Sequence, residues 1–263
     1  MDIVSSFSYP LQALLATLFT WSVTALGAAA VLLTRRTRPT LMDAMLGFGA
    51  GVMLASSYWS LLEPGIAMAE EVGQTAWLVA AAGFLCGGGL LMAGDAVLRR
   101  LLPEGATTDR RRRCWMLITS ITLHNIPEGL AVGVAFGALA FGFDEAALTG
   151  AWMLAIGIGL QNFPEGAAVS LPLRREGMGR GRAFFLGQLS GFVEPVSGVL
   201  GALLAIAVRE ALPFMLSFAA GAMISVVVSE LVPESQRSPR RNAVTLATLL
   251  GFAVMMVLDV ALS

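Results

Sequence analysis

Long apolar stretches recur from one end of the 263-residue chain to the other, each closed by a short polar segment. A helix rises 1.5 Å per residue, so roughly twenty such residues cross about 30 Å of hydrocarbon. The pattern predicts eight membrane spans, at Leu11–Leu33, Leu41–Leu62, Thr75–Val97, Trp115–Phe136, Ala146–Leu171, Ala183–Val208, Pro213–Leu231 and Ala243–Leu262. These use nearly all of the sequence and leave no sizeable soluble domain. The expected fold is an all-α integral membrane protein, with residues 1–263 forming a single transmembrane domain. The opening "MDIVSSFSYPLQALLATLF" has an acid where a secretory signal carries positive charge, and its apolar run is too long for a signal core. It reads as a retained first span.

Composition agrees with the pattern. The chain is 56% hydrophobic and 13% charged, with a mean hydropathy of +0.76, outside the range of ordinary soluble domains. Its 29 glycines, many beside Ala or Ser as in "GFLCGGGLLMAG", suit helices that pack closely through small faces in lipid. All 17 basic residues are arginine, gathered at Arg35 to Arg38, Arg99 to Arg113, Arg174 to Arg182 and Arg237 to Arg241, with Arg209 alone elsewhere. The clusters fall in the loops after spans one, three, five and seven. The positive-inside rule puts those loops in the cytoplasm and both termini outside it. None of the clusters alternates with aromatic residues, so nucleic acid is not an expected partner. The longest cytoplasmic loop, "RRLLPEGATTDRRRR", reads as a topology anchor beside anionic lipid of the bilayer. Cys86 and Cys114 lack metal-ligand spacing.

Polar residues inside the spans carry the chemistry. Span four holds "HNIPEGLAVG" from His124 and span five holds "QNFPEGAAVS" from Gln161, two near copies of one polar hexad. Counting at the helical rise, His124 lies about 13 Å, Glu165 about 12 Å and Gln161 about 18 Å from the cytoplasmic face, and Glu194 of span six about 16 Å. His124 and Glu128 are four apart, as are Gln161 and Glu165, so each pair shares a helix face. Asn125 and Glu128, and Asn162 and Glu165, are three apart, which adds a second polar edge with the glutamate common to both. Pro127 and Pro164 cannot donate to the ladder, so each span is expected to kink or loosen at its hexad, and a carbonyl freed inside a bilayer needs a donor, a water or a cation. Glu194-Pro195 sets another acid beside another break.

One imidazole, several carboxylates and three side-chain amides make an oxygen-rich set suited to Zn²⁺ and also to Fe²⁺, Mn²⁺ or Cd²⁺. Two ions bridged by glutamates, or one ion with water, both fit the spacing. The structural alternatives are a satisfied buried histidine, carboxylic acids hydrogen-bonded between helices, and Gln161 and Asn162 as interhelical packing groups. The repetition of the hexad in a second span favours metal.

"HNIPEG" and "QNFPEG" resemble the paired signature of the ZIP family of metal transporters, and the glutamine form of the second resembles its bacterial GufA-like branch. The eight-span layout extends the resemblance over the whole chain. It implies a mid-membrane binuclear centre, with His124, Glu128, Gln161 and Glu165 in the principal site and Asn125, Glu128, Asn162, Glu165 and Glu194 in its neighbour. It also implies inverted three-helix repeats around two central helices, an elevator-like shift of one bundle against another, and a homodimer. Many family members have histidine at the position of Gln161, and a related pattern has an acid at that of Asn162. The cytoplasmic loop has no histidine-rich stretch, and span seven keeps Glu230 as an exit-path candidate; Glu63, at the outer end of span two, is an entrance candidate. The expected function is import of divalent metal ions, Zn²⁺ foremost, across a prokaryotic inner membrane. A metal-gated channel or a metal sensor would use the same ligands. An intramembrane metalloenzyme would be expected to show HExxH, which this chain with its lone histidine lacks, so no catalytic residue is assigned.

Overall fold

A computed structural model describes residues 7–33, 39–101, 110–142 and 145–262. Arg35, Arg36 and Arg38, most of the loop between spans three and four, and Asp144 lie outside the described residues. Helices occupy every predicted span: α1 Tyr9–Leu33, α2 Thr40–Glu71, α3 Ala76–Leu101, α4 Arg110–Ala138, α5 Glu145–Arg175, α6 Arg180–Ala207, α7 Arg209–Ser235 and α8 Arg241–Leu262. Six of them, all except α4 and α5, are long and apolar enough by composition to cross a membrane. The other two have 29 and 31 residues, ample in length, and carry the hexads and terminal arginines. The second helix runs past the expected end at Leu62 to Glu71, so Glu70 and Glu71 lie in its last turn and not in a loop.

Proline acts in places the hexads alone do not reveal. Helices α4 and α5 continue through Pro127 and Pro164, both of which lie inside them. The break comes in α6, between Gly191 and Val193, where Pro195 lacks an N–H for the carbonyl of Gly191. Two further prolines are handled by widening the helix. A π-helical turn at Ser57–Leu62 precedes Pro64, and another at Val227–Leu231 precedes Pro233. Each contains the serine four residues before its proline, Ser60 or Ser229, whose carbonyl the proline cannot serve.

The helices pack as two groups. Helices α1, α4, α5 and α6 contact one another extensively, as do α2 with α8 and α3 with α7. Glycine lets backbones meet within each group. Gly133 lies against Gly198 and Gly129 against the backbone of Glu194, joining α4 to α6, while Gly221 lies against Phe84 and Gly251 against Phe48 in the second group. A methyl group at any of these four positions would overlap the facing backbone. Across the groups the contacts are softer: a methyl group on Gly49 would come no closer than 3.5 Å to Gln161, and Gly157 faces the flexible side chain of Met255.

Burial runs opposite to that of a soluble bundle. Thr17, Thr20, Thr24, Ser56 and Ser57 are buried, while Leu85, Leu90, Met92, Leu246 and Leu249 are exposed, as a lipid solvent requires. Inside, one apolar cluster takes Ala131 to Ala138 of α4 and Ala151 to Ile158 of α5, and a second takes Cys114 and Ile118 of α4 and Ala167 to Leu173 of α5. The hexads form the polar layer between them.

Candidate metal centre

Each hexad puts its polar side chains on the inner face of its helix. His124, Asn125 and Glu128 of α4 and Gln161 and Asn162 of α5 are buried, as is Glu194 at the break in α6. Glu165 is half-buried and lies within Coulomb reach of Glu128, Glu194 and Glu230. The structure thus brings residues from three helices into contact.

The side chains form a directed chain of hydrogen bonds. Gln161 donates from Nε2 to Glu128 Oε1 and to Asn162 Oδ1, the latter at 3.2 Å. Asn162 donates from Nδ2 to both oxygens of Glu194, at 3.0 and 2.9 Å. Thr20 of α1 donates its hydroxyl to Glu194 Oε2, and Thr24, one turn on, approaches Oε1 at 3.5 Å. Asn125 donates to the carbonyl of Ser190 at 3.0 Å, beside the break in α6.

Two acceptors are left over. Glu128 Oε2 and Asn125 Oδ1 are buried and have no hydrogen-bond partner among the described residues. They belong to residues three apart on α4, hence to one edge of the helix. A buried acceptor without a donor carries its full desolvation penalty, and a cation relieves it. Among the described residues, no three His, Cys, Asp or Glu side chains form a ready metal cage. The amides of Gln161 and Asn162 stand between the acids, so a bound ion must use amide oxygens or draw the glutamates together.

The two pathway candidates lie on opposite sides of this layer. Glu230, in the π-helical turn of α7, reaches His124, with Oε1 3.1 Å from Nε2. Glu63, after the π-helical turn of α2, lines a cavity of about 610 Å³ together with Trp59, Ser60, Leu216 and Asp259. Asp259 of α8 accepts a hydrogen bond from Ser60 at 2.7 Å. Sequence reading missed Thr20, Thr24 and Asp259. Asp259 was the most visible of the three, an acid near the end of an apolar span; the threonines, i and i+4 on α1, have no signal without the glutamate they face.

The ZIP zinc transporter family model matches residues 104–259, which contain both hexads, Glu194 and Glu230. The chain belongs to the ZIP family. It is 38% identical over 335 aligned positions to the zinc transporter ZIP11 of Xenopus tropicalis, covering 98% of this chain and 99% of that protein. It is 38% identical to the zinc transporter ZIPB of Bordetella bronchiseptica, over 92% of this chain and 78% of the relative. To the zinc transporter GufA of Myxococcus xanthus it is 36% identical, over 95% and 98%. All three relatives are transporters, and this member of the ZIP family is a membrane transport protein and not an enzyme.

Proposed function

We propose that the chain carries divalent transition-metal ions, Zn²⁺ first and Cd²⁺, Fe²⁺ or Mn²⁺ with it, across a prokaryotic inner membrane toward the cytoplasm. The observation that carries this reading is the pair of orphaned acceptors, Glu128 Oε2 and Asn125 Oδ1, in a polar layer between two apolar clusters. Nothing in lipid can relieve them. Glu128, His124 and Glu165 supply charge-bearing and imidazole ligands, and Gln161 can turn its carbonyl oxygen to the ion while its amide nitrogen holds Glu128. The zinc transporters among the relatives, spread over nearly the whole chain, support Zn²⁺ as the substrate. The glutamine-bearing second hexad supports a place in the GufA-like branch.

All eight helices cross the membrane in this reading, with both termini outside and the arginine-bearing loops in the cytoplasm. The twin π-helical turns support an inverted repeat: "SLLEP" at 60–64 in α2 and "SELVP" at 229–233 in α7 share the order Ser, Leu, Pro at the same register. With two helix groups joined through softer contacts, one group can shift against the other and present the ion to each side in turn. Glu63 and Asp259 then line the outer approach, and Glu230 the inner release path. A homodimer completes the assembly.

The test is influx into sealed liposomes loaded with a metal-sensitive dye, comparing wild type with Glu165→Ala at matched protein content and orientation. Saturable Zn²⁺ and Cd²⁺ influx that collapses in the variant is expected. Absence of wild-type flux from folded, correctly inserted protein that still binds metal would discard the carrier reading in favour of a sensor.

A further inference from the structure

The family resemblance implies two ions side by side, yet the hydrogen bonds around Glu194 leave no place for the second. Glu194 is fully buried, and a carboxylate has about four lone-pair directions. Donors stand at both oxygens: one N–H of the Asn162 amide is shared between them, the Thr20 hydroxyl faces Oε2, and the Thr24 hydroxyl stands 3.5 Å from Oε1. The pocket is tight as well: a methyl group on Gly191 would come within 3.1 Å of Glu194 Oε1.

Asn162 could join a second site only by turning its oxygen toward Glu194, and the network opposes that turn. Glu128 is acceptor-only when ionised, so Gln161 faces it with Nε2. The same nitrogen meets Asn162, which must answer with its oxygen, at 3.2 Å. The nitrogen of Asn162 is thereby directed at Glu194, and at the Thr20 carbonyl 3.3 Å away. Reversing the Asn162 amide would set two NH₂ groups against each other and turn an oxygen toward the carboxylate. The orientation thus propagates from Glu128 through Gln161 and Asn162 to Glu194.

We infer that Asn162, Thr20 and Glu194 form a closed clamp outside the ligand set, and that the hexads take one divalent ion per chain, held through Glu128, with His124, Asn125, Gln161 and Glu165 around it. This rests on the transport reading above and deepens it. Glu194 then acts as an electrostatic and positional partner of the ion, and the Asn162 amide, its N–H shared between both carboxylate oxygens, stands where a second cation would have to sit.

The experiment is equilibrium dialysis of purified full-length protein against Zn²⁺, with metal per chain read by elemental analysis and folding checked by thermal unfolding. Wild type is expected to saturate at one ion. Glu194→Gln, whose amide oxygen still accepts from Thr20 and Asn162, keeps that ion with affinity weakened no more than about 10–100-fold, the usual effect of an outer partner. Glu128→Gln loses saturable binding. Asn162→Asp, which sets two acids face to face, gains a second ion. Two ions on wild type with one lost in Glu194→Gln overturn the inference, as does Asn162→Asp remaining at one in a folded protein. No saturable ion on folded wild type overturns it together with the transport reading, whereas two ions with intact liposome flux overturn the inference alone.

Discussion

At the scale of single residues, the proposed transport gives the contact between His124 and Glu230 a place between binding and release. The imidazole Nε2 that suits a metal is 3.1 Å from a carboxylate on the other helix group, so an ion at the hexads and Glu230 compete for the same nitrogen. In the proposed transport toward the cytoplasm, Glu230 takes the imidazole as the ion leaves. Glu230→Ala is therefore expected to leave equilibrium Zn²⁺ binding nearly intact while slowing flux about tenfold, the equivalent of the ~1.5 kcal/mol of a charge-assisted hydrogen bond. Paired dialysis and liposome influx on the same preparation check this; a parallel loss of binding would make Glu230 a ligand and not a release partner. The hexads themselves were legible in the sequence because two copies at i, i+3 and i, i+4 spacing cannot serve a merely apolar face. The threonine clamp was not, because a hydroxyl on α1 acquires meaning only once the fold sets α6 beside it.

At the scale of helices, the eight helices were readable from apolar length and arginine placement, and their ends were not. Helix α2 continues to Glu71 because nothing stops it at Leu62; Pro64 comes in the first turn after a π-helical segment that has already absorbed the missing bond. Proline interrupts the helix at Pro195 and is accommodated inside the helix at Pro127 and Pro164. Pro195 stands just beyond Gly191, a residue with little preference for helix, whereas the hexad prolines follow well-packed helical turns. Glycine packing gives a separate test. Gly133→Ala drives a methyl group into the backbone of Gly198 and is expected to destabilise by about 1–3 kcal/mol. Gly94→Ala meets nothing within 4 Å and should be neutral or stabilising by up to about 1 kcal/mol through helix propensity. Thermal unfolding in detergent compares the two, and equal midpoints would remove close backbone packing as the reason for glycine at 133.

At the scale of the whole molecule, the contrast between rigid contacts within the two helix groups and yielding ones between them has a mechanical consequence. A body that moves as a unit needs close-packed joints inside it and compressible ones at its boundary, and the boundary here offers the thioether of Met255 to Gly157 of α5. Cysteine at both positions, Gly157→Cys with Met255→Cys, in a chain also carrying Cys86→Ser and Cys114→Ala, ties α5 to α8 across that boundary. Oxidation is expected to cut Zn²⁺ influx by at least about tenfold, since a locked two-state element can no longer exchange its populations. Binding at the hexads, which lie within one group apart from Glu230, should change by less than about threefold, because the cross-link spares every ligand and alters only the relation between groups. Reductant should restore the flux. Full cross-linking, confirmed by mass analysis, with undiminished influx would show that the ion passes without relative movement of the two groups, and the carrier would have to be replaced by a channel running between them.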